Sequence, residues 1–229
     1  MRGAPRLPRE LFAFLRELAS HNDRDWFQAN RTRYREQVQE PLLEFIAAFA
    51  EPLGEIAPRF VADPRPAGGS MFRIHRDVRF SKDKRPYKTH AAAQFRHRMG
   101  RDVHAPGFYL HLEPGNVFAG VGMWRPDGAA LKAIRDAIVD DPDGWNSAIT
   151  RRGFAALFDQ GGDRLIRPPR GFDADHPSIE EIKRKDFVAF RAFADSQAVA
   201  ADFLEVYADS CRAAVPMVRF LTEAVGLDF

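Results

Sequence analysis

Two alternating segments on either side of a Pro-Gly pair set the strongest limit on how this chain can fold. In the first segment, Phe108, Leu110 and Leu112 alternate with half-polar or charged residues, which is the pattern of a strand with one buried face. The Glu-Pro-Gly-Asn sequence that follows is typical of a hairpin turn. The sequence therefore predicts two neighbouring antiparallel strands, at about 106–113 and 116–124.

Two further strands are predicted just before this hairpin, at about 70–79 and 89–97, each bounded by Gly, Pro or Asn. Gly120 and Gly122 weaken the last predicted strand, because glycine has no side chain to pack. Glycines at such positions indicate a bulge, or a close approach by another backbone or by a ligand.

Apolar residues with helical spacing are found on both sides of this sheet region. The N-terminal helices are predicted within 8–57, the sheet within 68–125 and a mostly helical C-terminal region within 126–229. Helices, then strands, then helices is the order of an α+β domain rather than of alternating βαβ units. We therefore expect one α+β domain over residues 1–229, with a central mixed or mainly antiparallel sheet of about four or more strands and helices from both ends packed on it. The C-terminal helices are expected at about 127–139, 145–151, 197–209 and 212–225.

The composition indicates a folded protein and excludes several classes of site. Hydrophobic residues make up 45% of the 229 residues, enough for a substantial core. The single cysteine, Cys211, excludes a disulfide framework and any multi-cysteine metal centre. No apolar run approaches the roughly 20 residues of a membrane-spanning helix, and the N-terminus has no apolar leader, so we expect a soluble, cytoplasmic protein. A net charge of +2 is too mild to mark a nucleic-acid-binding protein by itself.

Positive charge is concentrated in one window, residues 72–90. This window has seven Lys or Arg residues against two acids, a local charge of +5, so the rest of the chain sums to −3. A concentrated positive field attracts anions. The seven cations are Arg73, Arg76, Arg79, Lys82, Lys84, Arg85 and Lys88.

Strand alternation in the first half of this window predicts a charged face and an apolar face. One face would hold Phe72, Ile74, Val78 and Phe80, and the other Arg73, His75, Asp77 and Arg79. Arg76 falls on the apolar side, so we expect it to have a carboxylate or several carbonyls as partners. The following Ser-Lys-Asp-Lys-Arg-Pro-Tyr sequence, which is rich in turn formers, predicts a loop that carries the remaining cations.

The same window resembles the signature of a conserved bacterial and fungal family known as domain of unknown function two-four-six-one. The matching sequence is R-I-H-R-D-V-R-F-S-K-D-K-R-P-Y, and the chain has about the length of the family members. Trp-Phe near Trp26, the P-G-F-Y-L-H-L-E-P-G segment from Pro106 and Asp-His-Pro at Asp175 also fit the family. The resemblance implies no activity, because the family has none assigned. It carries over only that the motif positions are filled by Arg73, Arg76, Asp77, Arg79, Phe80, Asp83, Lys84 and Tyr87.

The first functional hypothesis is a binding site for a phosphorylated or otherwise anionic small molecule or a nucleotide. Guanidinium groups bind phosphate and carboxylate in a bidentate way, and lysine adds a mobile point charge. The Walker loop and the dinucleotide-binding glycine pattern are both missing from the sequence, so side chains would have to hold the anion. Nucleic acid is a narrower version, in which aromatic rings beside the basic loop stack bases. The candidate ligand-binding residues are Arg73, His75, Arg76, Arg79, Lys84, Tyr87, Lys88 and Tyr109.

The second hypothesis is a hydrolase in which His111, Glu113 and Asp77 are catalytic, with His75 facing them. Such a His/carboxylate cluster can run acid/base chemistry or hold a divalent metal. Two observations argue against a metal site: His-x-Glu is a common sequence in strands, and the chain has none of the established zinc-binding spacings. The sequence therefore assigns no metal ligand and no cofactor.

The third hypothesis is an interaction module whose basic face meets an acidic protein partner. A simpler interpretation also stands, in which the charges form a solvated face of paired Arg and Asp residues without a ligand. The sequence alone leaves open whether the chain is an enzyme, and it does not set the oligomeric state.

Overall fold

A computed structural model describes residues 5–100 and 104–229. Its centre is a five-stranded antiparallel sheet with the spatial order β1-β2-β3-β5-β4. Helices from both ends of the sequence accompany the sheet, which confirms the α+β prediction. The strands are β1 Ala91–Arg96, β2 Gly107–Glu113, β3 Asn116–Met123, β4 Asp159–Gly161 and β5 Phe187–Phe193.

The helices before the sheet begin with α1 (Arg9–Ser20), and a π-helical turn at Arg35–Gln39 leads directly into α4 (Glu40–Ile56). Asp23 caps α2 by accepting a hydrogen bond from the backbone N–H of Trp26 at 2.9 Å. No helix in the described ranges is both long enough and apolar enough to span a membrane. The helices are α1 Arg9–Ser20, α2 Arg24–Ala29, α3 Arg31–Tyr34, α4 Glu40–Ile56, α5 Gly128–Asp140, α6 Pro142–Thr150, α7 Arg152–Ala155, α8 Ile179–Ile182, α9 Asp195–Ala198 and α10 Phe203–Ala224.

The two faces of the sheet have different neighbours. The inner face of β2 consists of Phe108, Leu110 and Leu112, all fully buried, as the alternation predicts. Helix α10 packs against β3 and α4 on this side, and Arg191 of β5 donates a 2.7 Å hydrogen bond to Ser210 of α10. The outer face therefore carries the alternate residues, and it is this face that holds the candidate site.

The predicted hairpin is confirmed. Glu113 of β2 lies opposite Asn116 of β3, so Pro114 and Gly115 form the two-residue turn. Gly115 has a φ of +76°, a conformation that glycine adopts without steric cost.

The predicted strand at 70–79 is wrong. This segment makes only isolated bridges, Met71 with Ala93 and His75 with Tyr87, and Phe80 is 96% exposed instead of lying on an apolar face. Only its start, at residues 70–72, bonds to Ala92 and Gln94 of β1, and from Ile74 onward the chain folds back on itself and pairs with residues 86–88 instead.

Side-chain carboxylates stabilise this reversal. Asp77 accepts a hydrogen bond from the backbone N–H of Arg79, and Asp83 accepts one from that of Arg85. Each aspartate thus bends the backbone two residues ahead, which competes with strand pairing.

The C-terminal region also departs from the prediction, since β4 and β5 lie within a region expected to be helical. Phe187, Val188 and Ala189 are all buried, so the first half of β5 shows no alternation that a sequence pattern could detect. In addition, the helices expected at 197–209 and 212–225 merge into one helix, α10, which begins only at Phe203, while the start of the first one overlaps the separate short helix α9.

At Gly122 the backbones of β3 and β5 approach each other closely. Its φ is +107°, and a Cβ atom at this position would overlap the carbonyl group of Phe187. Of the alternatives that the sequence left open, another backbone is therefore the neighbour here. A Cβ at Gly120, two residues earlier, would make ordinary contacts of 3.4–3.6 Å with the rings of Tyr109 and Phe190.

We expect Gly122→Ala to destabilise the protein by at least about 2 kcal/mol, because a side chain must overcome both the positive φ and the overlap with β5. Gly120→Ala is the matched control in the same strand and should change the free energy of unfolding by less than about 1 kcal/mol. Denaturant unfolding of the three proteins measures both values. Equal midpoints for Gly122→Ala and the wild type would contradict the close packing of β3 on β5.

Candidate functional site

A line of polar side chains on the outer face of β2 forms the centre of the candidate site. The hydroxyl of Tyr109 is hydrogen-bonded to Nδ1 of His111 at 2.9 Å. Nε2 of His111 lies 3.4 Å from Oε2 of Glu113. The period of two in the strand brings these three residues to one face, as the sequence predicts.

Neighbouring residues fix the carboxylate of Glu113. Thr89 donates a 2.7 Å hydrogen bond to Oε1, and the side-chain amide of Asn116 donates one of 3.2 Å to Oε2. Burial alone would raise the pKa of Glu113, but the hydrogen bonds from Thr89, Asn116 and His111 together outweigh it and lower the pKa. Glu113 is therefore an oriented, ionised acceptor at neutral pH.

His90 joins this group from the residue before β1. Its ring centroid lies 4.3 Å from that of His111, and one potential ligand atom each from His90, His111 and Glu113 lie within 4.8 Å of one another. Burial, followed by the proximity of His111 and Lys88, lowers the pKa of His90 to about 4. Burial likewise lowers the pKa of His111. Both imidazoles are thus neutral at pH 7.

A cavity of about 440 Å³ opens beside this cluster on the outer face of the sheet. Its walls are mainly aromatic, with Phe118 stacked on His111 at 4.6 Å and Phe190 set edge-on to Phe118 at 5.4 Å. Gly120 and Gly122 also line it. The remaining aromatic and polar lining comprises Phe72, Lys88, His90, Gln94, Tyr109 and Trp124.

Lys88 is the cation at the wall of this cavity. Its ammonium lies 5.1 Å from the centre of the Phe72 ring, and burial followed by the charge of Arg73 lowers its pKa. Within residues 5–100 and 104–229, neither Lys88 nor Arg73 forms an ion pair with a carboxylate. These two positive charges therefore remain available for a ligand.

Four of the other cations of the basic window, Arg76, Arg79, Lys84 and Arg85, are engaged within the loop, whereas Lys82 is exposed. Arg79 pairs with Asp77 at 2.7 Å, and Arg85 pairs with Asp83 at 2.8 Å. The hydrogen bonds from Arg79 lower the pKa of Asp77 to about 2. Lys84 donates to the carbonyl of Val78 at 3.1 Å.

Arg76 has the partners that the sequence requires. Its Nη1 contacts Asp83 Oδ2 at 2.7 Å and the carbonyl of Arg85 at 3.2 Å. The side chain is 27% exposed, however, so Arg76 is a partly solvated link within the loop rather than a buried charge.

The remaining candidates lie elsewhere. Tyr87 is 3% exposed and stacks on Phe27 at 4.0 Å, and its backbone exchanges two 3.0 Å hydrogen bonds with the side chain of Asn22. Arg73 and His75 line a second cavity of about 390 Å³, together with residues of α3. The structure thus brings together Lys88, Tyr109, His111 and Glu113, and it places Asp77, Arg76, Arg79, Lys84 and Tyr87 outside the lining of the cavity.

The family comparison confirms the family that the sequence resembles. The model of the family described as "Conserved hypothetical protein (DUF2461)" matches residues 10–220. The chain belongs to this family. A comparison with curated proteins gave no match. Because the description of DUF2461 names no activity, any function has to be argued from the site.

Several residues that form this DUF2461 site were not singled out from the sequence. His90, Thr89 and Asn116 complete the polar cluster, and Phe118 and Phe190 form the cavity wall. His90 could have been found only by pairing the predicted strands at 89–97 and 106–113 with each other. Antiparallel pairing of these two strands brings the start of the first next to the end of the second, where Glu113 lies.

We expect the free energy of unfolding to fall as the pH is lowered from 6.5 toward 4, because the pKa of His90 is about 4 in the folded chain, against 6.5 for an unperturbed histidine. In this interval the unfolded chain binds the proton and the folded chain does not. Denaturant unfolding at pH 6.5, 5.5 and 4.5, with a chelator present, measures the decline.

The free energy of unfolding of the variant His90→Gln should decline less over the same interval. Part of the decline should remain, because the pKa values of the buried histidines His97 and His111 are also lowered in the folded chain. An identical pH dependence in the variant would mean that His90 takes up protons equally in both states.

Proposed function

We propose that this DUF2461 protein binds a small molecule that carries a phosphate or carboxylate group on an apolar or aromatic body. The ligand would lie in the cavity on the outer face of the sheet, with its anionic group on Lys88. The observation that carries this proposal is that Lys88, half-buried at an aromatic cavity wall, has no carboxylate partner among the described residues.

The distribution of charge supports Lys88 over the rest of the basic window. Arg76, Arg79 and Arg85 already contact carboxylates at 2.7–2.8 Å. Exposed pairs of this kind are screened by water, whereas a charge at a less polar wall interacts more strongly with an incoming anion. Arg73, close enough to lower the pKa of Lys88, adds to the positive potential at this edge.

The walls of the cavity support an apolar ligand body. Tyr109, Phe118 and Phe190 form a continuous series of ring contacts, at 5.8 Å and 5.4 Å between centroids. A volume of about 440 Å³ lies within the range of about 300–1,000 Å³ that is usual for small-molecule sites. Burial of apolar surface against these rings would supply affinity, and the lysine would fix the orientation.

Proton transfer on the bound molecule is a second candidate function, and it rests on the Tyr109, His111 and Glu113 series. A neutral imidazole held between a hydroxyl and an ionised carboxylate can take up a proton, and the carboxylate stabilises the imidazolium that forms. His90 lines the cavity at a ring-centroid distance of 4.3 Å from His111, so such chemistry would act at the edge of the same ligand.

Phenyl phosphate and benzoate test the binding proposal, with phenol as the uncharged counterpart of the same ring. We expect both anions to raise the midpoint of thermal unfolding more than phenol does, because only they gain from Lys88. In Lys88→Met, affinity for the anions should fall about 10- to 100-fold, since a hydrogen bond to a charged group contributes about 1.5–3 kcal/mol.

The matched control is Lys82→Met, which removes an exposed lysine of the same loop and should bind the anions like the wild type. Equal stabilisation by phenol and benzoate would contradict a role for the charge. An equal loss of affinity in both lysine variants would point to the field of the whole loop instead of to Lys88.

A further inference from the structure

We propose that His90, His111 and Glu113 bind a divalent first-row transition metal of the Zn²⁺ class, at the edge of the cavity. The site lies beside Lys88 but does not require an anionic ligand, so it stands separately from the binding function proposed above.

The spacing of two of the three ligands already matches a metal site. In a tetrahedral Zn²⁺ site with bonds of about 2.0–2.1 Å, two ligand atoms lie about 3.3 Å apart. Nε2 of His111 and Oε2 of Glu113 are 3.4 Å apart, which is longer than a typical N–H to oxygen hydrogen bond. All three ligand atoms lie within 4.8 Å of one another, so an inward shift of the half-buried ring of His90 by at most about 1.5 Å brings the third atom to the spacing of about 3.3 Å.

The residues around the cluster have the arrangement of an outer ligand shell. When Nε2 of His111 ligates, its proton is on Nδ1, and the Tyr109 hydroxyl at 2.9 Å accepts that hydrogen bond. Thr89 and Asn116 hold the carboxylate of Glu113 in place. These contacts hold the imidazole ring and the carboxylate in position before the ion arrives, and on binding the ring changes tautomer, so that the proton facing Glu113 from Nε2 is replaced by one on Nδ1.

The ligand set favours transition metals over Mg²⁺ or Ca²⁺. Imidazole suits ions such as Zn²⁺, Fe²⁺ and Ni²⁺, whereas the alkaline-earth ions prefer all-oxygen sites. Three protein ligands leave at least one position for water or for an anion from the cavity, which His90 lines. An anion shared with Lys88 would also offset the repulsion between the lysine and the ion.

The test uses the full chain after treatment with a chelator and transfer to a phosphate-free buffer. Calorimetric titration with Zn²⁺ and the visible absorption of added Co²⁺ report affinity and coordination geometry. We expect one equivalent of either ion, with the Co²⁺ spectrum of a four-coordinate site.

The variants His90→Asn and Glu113→Gln should each bind at least tenfold more weakly, and the matched control His21→Asn, an exposed histidine outside the cluster, should bind like the wild type. Tyr109→Phe should weaken binding about 10-fold, as expected for loss of a hydrogen bond to a ligating histidine. Because Tyr109 positions His111 and does not ligate the metal, the Tyr109→Phe variant should still bind one equivalent of the ion, with an unchanged form of the Co²⁺ spectrum.

The proposal is overturned if the wild type takes up neither ion, or if His90→Asn binds both as the wild type does. Circular dichroism of the metal-free variants checks their fold. Should Glu113→Gln fail to fold, His90→Asn keeps the test decisive, because His90 lies at the cavity wall outside the strands. Repeating the titrations in Lys88→Met separates the two proposals, since loss of anion binding there leaves the three metal ligands in place.

Discussion

The antiparallel register between β1 and β2 decides how His90 meets His111 and Glu113 at the candidate site. Ala91 pairs with Leu112, and the same register continued by one residue puts His90 opposite Glu113. Leu110 and Leu112 are fully buried on the inner face, and a slip of one residue would turn both toward solvent. The apolar packing of the sheet on α10 and α4 therefore also fixes the polar cluster on the opposite face. The packing that stabilises the sheet thus also positions the side chains of the polar cluster.

The basic window has two physically different halves. In the loop, each aspartate accepts the backbone N–H two residues ahead and the guanidinium of the same residue, so Asp77 with Arg79 and Asp83 with Arg85 are repeats of one motif. These contacts shape the turn, and their charges cancel locally. Lys88 follows the turn at the point where the chain rejoins the sheet, with its backbone N–H bonded to the carbonyl of Ile74. The same chain reversal that pairs the arginines with aspartates therefore places the ammonium group of Lys88 at the cavity.

What the sequence predicted correctly depends on short-range patterns. The hairpin of β2 and β3 was predictable because the alternation and the turn residues are contiguous, and the same alternation put His111 and Glu113 on one face. The strand at 70–79 was predicted wrongly because its alternation of charged and apolar residues is real, but the aspartates form local turns instead of a ladder. Strand β5 was not predicted because its first half is buried on both faces, and because its partner β3 lies far from it in the sequence. His90 was missed for a related reason, since its position next to His111 arises only from pairing between strands.

Phe72 lies between two cavities that each contain a cation of the basic window. Phe72 lines both the aromatic cavity with Lys88 and the second cavity with Arg73 and His75. The two cations line different cavities, but they still interact, because Arg73 lowers the pKa of Lys88. An anion bound on either side of Phe72 would therefore reduce the repulsion felt by the other cation. The two cavities thus share the ring of Phe72 as a wall, and the proximity of Arg73 to Lys88 links them electrostatically.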